Sequence, residues 1–358
     1  MENGWLEKSL PHYEAGRWAE AALALEHSLI DEPGNAAAAA YRLGNVRGEQ
    51  GRDSDALACF ERSLALDPSN AKTWNNLGAV RQRLGSLDEA RTAYRTAIDR
   101  DPELFEPYLN LGRLGEVVGD LAGAASYLSA GLSRHPGHPM LVHLLSAATG
   151  ENTAHAPRDH IVAYFDGFAP AFDRHLENGL AYRVPARLAQ MVSPSLRPPC
   201  RVLDLGCGTG LMGAAVADPG VELVGIDLSP RMLELAERRG VYSRLILGDA
   251  TEELGRAASG SFNAVLAADV FIYIGDLTEL FRGVARVLAP GGTFCFSIED
   301  LSEGSYRLQS NGRYAHALAH VRELAAGTGF AERSARAVDL RGDKSGYARG
   351  HLLRLERR

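Results

Sequence analysis

The stretch "VLDLGCGTG", residues 202–210, runs from apolar residues through Asp204 into Gly206, Gly208 and Gly210 at every second position. Glycines lack a Cβ, so the chain can turn sharply and a ligand can lie against the backbone. The apolar run reads as a strand and residues 210–218 as a helix, which puts the glycines where an open α/β sheet binds ligands beyond its strand ends. A further acid is placed to help: Asp227 ends a second apolar run, "VELVGIDL". An ionised carboxylate only accepts hydrogen bonds, so one acid can take both hydroxyls of a ribose. Dinucleotide sites place an acid at the end of the second strand but want G-x-G-x-x-G, whereas this chain has D-x-G-x-G-x-G. Cys207 reads as a small filler between glycines, because nothing near it in sequence would activate a nucleophile.

These residues need a scaffold, and residues 200 to 300 supply an alternation of strands and helices. "RVLDLG" (201–206), "VELVGIDL" (221–228), "RLILGD" (244–249), "FNAVLAAD" (262–269) and "TFCFSI" (293–298) read as strands. Helices are expected between them; one is capped by Ser229 and carries Pro230 in its first turn. Such alternation implies crossover connections and a mostly parallel sheet covered on both faces. Near the end, "AVDLRGDKSGYARGHLLRLER" reads as two strands joined by a Gly-rich turn, an antiparallel edge hairpin.

The D-x-G-x-G-x-G form resembles the first motif of class I methyltransferases that use S-adenosylmethionine (SAM), and later motifs follow in register from about Asp159 to the C-terminus. "GIDLS" matches the ribose-binding acid, "GDA" the pair beside the adenine, "AADVFIYIGDL" the segment after the fourth strand, and "LAPGG" the turn before the fifth. The resemblance implies that SAM is the cofactor, bound by Asp204, Gly206, Cys207, Gly208, Gly210, Asp227, Leu228, Asp249, Ala250 and Asp269. It implies further that the element containing Phe165, Phe168 and Phe172, with Asp166 and Asp173 among them, closes over the cofactor as a lid, so Phe168 and Phe172 join the cofactor contacts. "FDRHL", "LAYRVP" and "GRYAH" resemble stretches that recur in bacterial tetratricopeptide-repeat methyltransferases.

Methyl transfer to a phenol or alcohol generally needs a base, while a carboxylate or neutral amine does not. His316, Tyr314 and His175 are the candidates for a base or a substrate hydrogen bond, with His316 first because it follows the fifth strand. His316 and His320 are expected one turn apart on an amphipathic helix, and no metal site is expected, since no acidic third ligand accompanies them. The absence of an N-P-P-Y-type sequence after the fourth strand speaks against a DNA-base amine as acceptor.

The front of the chain repeats with a period near 34. Gly16, Gly51, Gly85 and Gly119 recur with Pro33, Pro68, Pro102 and Pro136, and Ala21, Ala56, Ala90 and Ala124 keep the same register. The unit "WNNLGAVRQRLGSLDEARTAYRTAIDRDP" resembles the tetratricopeptide repeat. Small residues at Gly44, Gly78 and Gly112 would let paired helices approach, and neighbouring hairpins would bury one another's apolar faces in a solenoid with a concave surface, closed by a helix over residues 138–150. A partner protein, a peptide or a second copy of the chain is the expected occupant.

Composition bounds the rest. With 358 residues the chain is long enough for two domains, and 46% apolar with 23% charged residues is ordinary for a globular protein. The first 150 residues carry 14 basic and 20 acidic side chains, and the remainder is near neutrality, so neither half offers the basic footprint nucleic acid needs. Apolar runs are far short of a bilayer span, and Met1 is followed by Glu2, Glu7 and Lys8 rather than a basic and apolar leader, so no membrane association and a cytoplasmic location are expected. The expected organisation is an α-helical tetratricopeptide solenoid over 1–150, a linker and lid over 151–198, and over 199–358 an α/β Rossmann-like class I methyltransferase domain, with a mostly parallel seven-stranded sheet ending in an antiparallel hairpin. The expected function is methyl transfer to an O or N of a small-molecule or carrier- or peptide-bound biosynthetic intermediate, the alternatives being a protein or peptide methyltransferase whose solenoid recruits the substrate and a non-catalytic SAM-binding scaffold.

Overall fold

The computed structural model describes residues 4–169, 172–174, 182–343 and 346–358. The chain divides into two compact units, Met1–Thr149 and Gly150–Arg358. Among the described residues no helix is long and apolar enough to cross a membrane.

The first unit is built of helical hairpins. Helices α1 (Trp5–Glu14) and α2 (Trp18–Asp31), α3 (Ala36–Glu49) and α4 (Asp53–Leu66), α5 (Ala71–Arg83) and α6 (Leu87–Arg100), and α7 (Glu106–Val118) and α8 (Leu121–Arg134) form the pairs, and α9 (Pro139–Thr149) closes the stack. Each hairpin turns at a glycine in the left-handed region, with φ 84° at Gly85 and 79° at Gly119. The small residues within the helices have the expected use. A Cβ added at Gly44 would lie 2.6 Å from the ring of Phe60, at Gly78 2.7 Å from that of Tyr94, and at Gly112 2.7 Å from Leu128. Each glycine thus receives the large side chain of the partner helix at its own backbone. Gly78→Val is therefore expected to lower stability by about 1–3 kcal/mol through overpacking against the buried Tyr94. Urea unfolding followed by tryptophan fluorescence checks this, since Trp5, Trp18 and Trp74 all lie in this unit. A polar chain absent from the sequence reading links successive first helices. Asn110 donates to Asn75 at 2.9 Å, Asn75 to Asn76 at 3.2 Å, and Asn76 to Asn45 at 2.8 Å.

The second unit begins with α10 (Arg158–Phe168), the short α11 (Phe172–Arg174) and α12 (Val184–Val192). Then follow β1 (Cys200–Leu205), α13 (Leu211–Val216), β2 (Val221–Asp227), α14 (Pro230–Arg239), β3 (Arg244–Leu247), α15 (Ala250–Arg256), β4 (Phe262–Ala267), α16 (Thr278–Val287) and β5 (Leu288–Leu301). The chain ends with β6 (Tyr306–Leu308), β7 (Tyr314–Ala317), α17 (Leu318–Gly327), β8 (Phe330–Asp343) and β9 (Gly346–Arg357). Strands run in the order β3-β2-β1-β4-β5, all parallel, then β9 antiparallel to β5 and β8 antiparallel to β9. These seven match the expected sheet and hairpin. β7 and β6 are additional: β7 runs parallel to the end of β5, pairing Asp300 with His316, and β6 returns antiparallel to β7.

Strand alternation builds a core on each face of the sheet. Leu203, Leu205, Val265, Phe294 and Phe296 pack on one side with Phe271, Phe281 and Phe330, whereas Val202, Ala264, Leu266 and Cys295 pack on the other with Leu188, Met191 and Met212. Double coverage explains why these strands are continuous apolar runs. It also leaves the C-terminal ends of β1, β2, β3 and β4 as the place where loops meet.

Candidate functional site

At that edge lies a cavity of about 480 Å³. Its floor comes from the loop after β1, the ends of β2 and β3 and the segment after β4. Its cover comes from α10 and α11, through Ile161, Tyr164, Phe165 and Phe172. Gly206, Cys207, Gly208, Asp227, Leu228, Asp249, Ala250, Asp269 and Phe172 all line it.

The three glycines prove to have different reasons. A Cβ on Gly206 would meet Val270 at 2.7 Å, and one on Gly210 would meet Arg239 and Tyr242 at 3.0 Å, so these two serve the packing of the loop. At Gly208, with φ +54°, the nearest atom to an added Cβ is on Phe172 at 4.0 Å, across the cavity. Gly208 is the position where a ligand can approach the backbone. Gly210 does not line the cavity, and neither does Asp204. Asp204 is buried beneath the loop and accepts from the Tyr242 hydroxyl at 2.6 Å, so it supports the loop from below.

Burial, and to a lesser degree the charge of Asp227, pushes the Asp204 carboxyl up to about 7 against the Tyr242 hydrogen bond. The folded state therefore binds this proton more tightly than the unfolded chain, and stability falls as pH rises from the unfolded value near 3.8 to about 7. Asp204→Asn is expected to lose less stability than the wild type across that window, as read from melting temperatures of both proteins at pH 5 and pH 8.

Asp227 is held on both oxygens. The Gly208 N–H donates to Oδ2 at 2.8 Å and the Ser229 N–H to Oδ1 at 2.9 Å. Each oxygen keeps a lone pair, which suits two adjacent hydroxyls. Burial holds this carboxyl above the usual range, although three backbone N–H groups pull it down. Asp249 caps α15, accepting from Thr251 and Glu252, and its second oxygen lies 3.4 Å from Arg158. Cys207 is buried, and burial raises its thiol well above the ordinary value, so it stays protonated.

The cover is tied to the floor by the acids that punctuate its aromatic residues. Asp166 accepts from the Ser229 hydroxyl at 2.5 Å and from the Arg231 N–H at 3.3 Å. Asp173 accepts from the Thr209 hydroxyl at 2.5 Å and pairs with Arg239. Phe165 meets Phe172 and Tyr273 edge-on, at 5.9 and 5.5 Å between centroids. His175 and the side chain of Phe168 lie outside the described residues.

The expected bases sit elsewhere. His316 is on β7, not on a helix: the helix begins at Leu318, and pairing of β7 with β5 overrides the helical preference of "HALAH". Its Nε2 lies 3.0 Å from the Gly275 carbonyl, so that nitrogen carries the proton, and burial lowers the ring to about 4. Tyr314 is fully buried against Thr153. Neither residue lines the cavity, which corrects their assignment as groups that reach the acceptor.

Instead, Arg341, Arg313, Tyr182 and Tyr273, which sequence reasoning did not single out, line the cavity together with Asp269. Arg341 on β8 donates to Asp269 at 2.9 Å and pairs with Glu299 on β5. Asp269 also accepts from Ser297 at 2.8 Å, and it is the one non-glycine residue with positive φ (56°) among the described residues. A strained backbone held by a buried network is common where a site must be pre-set. Arg341 and Asp269 are 72 positions apart, so no local pattern marks the pair.

Residues 203–296 match a family described as methyltransferase domain, and 6–71, 41–104 and 75–139 match one described as tetratricopeptide repeat. The chain is 31% identical over 127 residues to a ubiquinone biosynthesis O-methyltransferase of Xanthomonas campestris, covering 35% of this chain and 53% of that protein. It is 33% identical over 163 residues to methyltransferase-like protein 27 of Homo sapiens, covering 43% and 61%. The chain thus spans about half the length of the curated relatives it matches. A solved SAM-dependent methyltransferase from Methanosarcina mazei is similar at 18% identity with a TM-score of 0.40, covering 47% of this chain and 96% of that one. Residues 6–139 thus match tetratricopeptide repeats, and residues 203–296 match a methyltransferase domain.

Proposed function

We propose that the protein transfers a methyl group from SAM to an oxygen or nitrogen of a small molecule or biosynthetic intermediate, and that its repeats dock a partner or a second copy. The observation that carries this reading is the conjunction, in one cavity, of the open backbone at Gly208 and the doubly held Asp227 carboxylate beneath an aromatic cover. When bound, SAM would supply an electrophilic methyl group on a sulfonium that can leave as a neutral thioether. The residues of this chain hold and dry the site. Asp227 would take the ribose hydroxyls, Asp249 and Ala250 the adenine edge, and Phe165 and Phe172 would exclude water. On the acceptor side Asp269, Tyr182 and Tyr273 can orient the nucleophile, and positioning of this kind supplies much of the rate. The name of the Xanthomonas relative favours oxygen over nitrogen.

A second reading is a protein or peptide methyltransferase whose repeats recruit the substrate, and the repeats themselves are its support. Purified protein given methyl-labelled SAM with a size-fractionated lysate separates the two. Label in the small-molecule fraction is the expected result, and label confined to protein favours the second. Lack of SAM binding overturns both.

A further inference from the structure

Among the described residues, one cation that lines the cavity lacks a counter-ion. Arg158, Arg313 and Arg341 all line the cavity. Arg158 is taken by Glu252 at 2.5 Å and Asp249 at 3.4 Å, and Arg341 by Asp269 and Glu299. The lining carboxylates are engaged too: Asp227 by two backbone N–H groups, Asp276 by the Thr278 N–H at 2.9 Å, and Glu279 by Arg282 at 2.5 Å. Among the described residues Arg313 alone of these cations has no carboxylate within ion-pairing distance.

Its place in the fold assigns that charge to the acceptor. Asp227 and Asp249 stand at the ends of β2 and β3, on one side of β1. Arg313 enters from the turn between β6 and β7, where its N–H bonds Asn311 at 2.9 Å and its carbonyl accepts from Gln309 at 2.8 Å. β7 pairs with β5, on the far side of β4. Tyr164, Phe165 and Tyr273 line the same cavity, Phe165 meeting Tyr164 and Tyr273 edge-on at 5.2 and 5.5 Å between centroids. Burial pushes the Tyr273 phenol up to about 12, against a pull from the nearby Arg313 charge, so the guanidinium and this ring belong to one neighbourhood. A guanidinium facing an apolar cavity matches the planar fork of a carboxylate.

We propose that the methyl acceptor is an apolar molecule bearing a carboxylate, which pairs with Arg313 as an anchor while its body lies against Tyr164, Phe165 and Tyr273. This rests on the methyltransferase reading above. Calorimetry on the full chain tests it in two steps. S-adenosylhomocysteine is titrated first; if the wild type fails to bind it, the methyltransferase reading falls and this inference with it. Benzoate, 4-hydroxybenzoate and hexanoate are then each compared with the matching carboxamide in its presence. The acids should bind at least about tenfold tighter than the amides, the size of a charge-assisted contact. Arg313→Met should erase that preference, Arg313→Lys should keep part of it, and affinity for S-adenosylhomocysteine should change little in either. Acids no better than amides, no binding by any probe, or a preference that survives Arg313→Met would overturn the proposal. So would a tenfold or greater loss of S-adenosylhomocysteine affinity in Arg313→Met, which would give the arginine to the cofactor's own carboxylate.

Discussion

Asp227→Ala is expected to weaken SAM binding by roughly a hundredfold to a thousandfold, because two hydrogen bonds to a charged acceptor are worth about 3–4 kcal/mol together. The loss has a second component. The N–H groups of Gly208 and Ser229 lose the acceptor they now share, which loosens the backbone at the one glycine that faces the cavity openly. Asp227→Asn separates the two: an amide oxygen can still take one N–H, so the loop should persist, but its NH2 group cannot accept a hydroxyl proton. Calorimetric titration of SAM into the three proteins should rank the wild type well above the asparagine variant and the alanine variant last. An alanine variant with wild-type affinity would remove the ribose assignment.

The parts of this site that could be read in the sequence are those whose signal is local. Gly206, Gly208 and Gly210 follow a strand within a few residues, Asp227 ends the next strand, and the repeats recur at fixed steps. Even there one pattern covers distinct roles, since Gly208 has open cavity beside its backbone while Gly206 and Gly210 make room for Val270 and for Arg239 with Tyr242. What was illegible depends on pairing across distance. "HALAH" carries alanines that suit a helix, yet residues Tyr314–Ala317 are extended because Asp300 and Leu301 on β5 offer ladder partners. That single change moves His316 from a surface helix to a buried strand and removes it from the acceptor's reach. Glu299, Asp269 and Arg341 lie on three separate segments and meet only when β9 places β8 beside the sheet. In "GRYAH" the tyrosine and histidine have the residue types of a base, yet it is Arg313 that lines the cavity.

Arg341→Met is expected to destabilise the second unit by about 3–5 kcal/mol, the cost of leaving buried carboxylates without their counter-ion. Arg341 is 5% exposed, and it faces Asp269 and Glu299 at once. Arg341→Met combined with Asp269→Asn and Glu299→Gln should recover much of the loss at pH 8, since the buried charges are then gone. All three tryptophans lie in the repeat unit, so fluorescence would follow the wrong half of the molecule. Hydrogen exchange of the amides in β5 and β9, which flank this cluster through the pairing of Ile298 with His351 and Glu299 with Gly350, reads the right one. Slow exchange in Arg341→Met equal to that of the wild type at pH 8 would mean that the ion cluster contributes nothing to holding the acceptor end of the sheet together, and that Asp269 is kept in its left-handed backbone by packing alone.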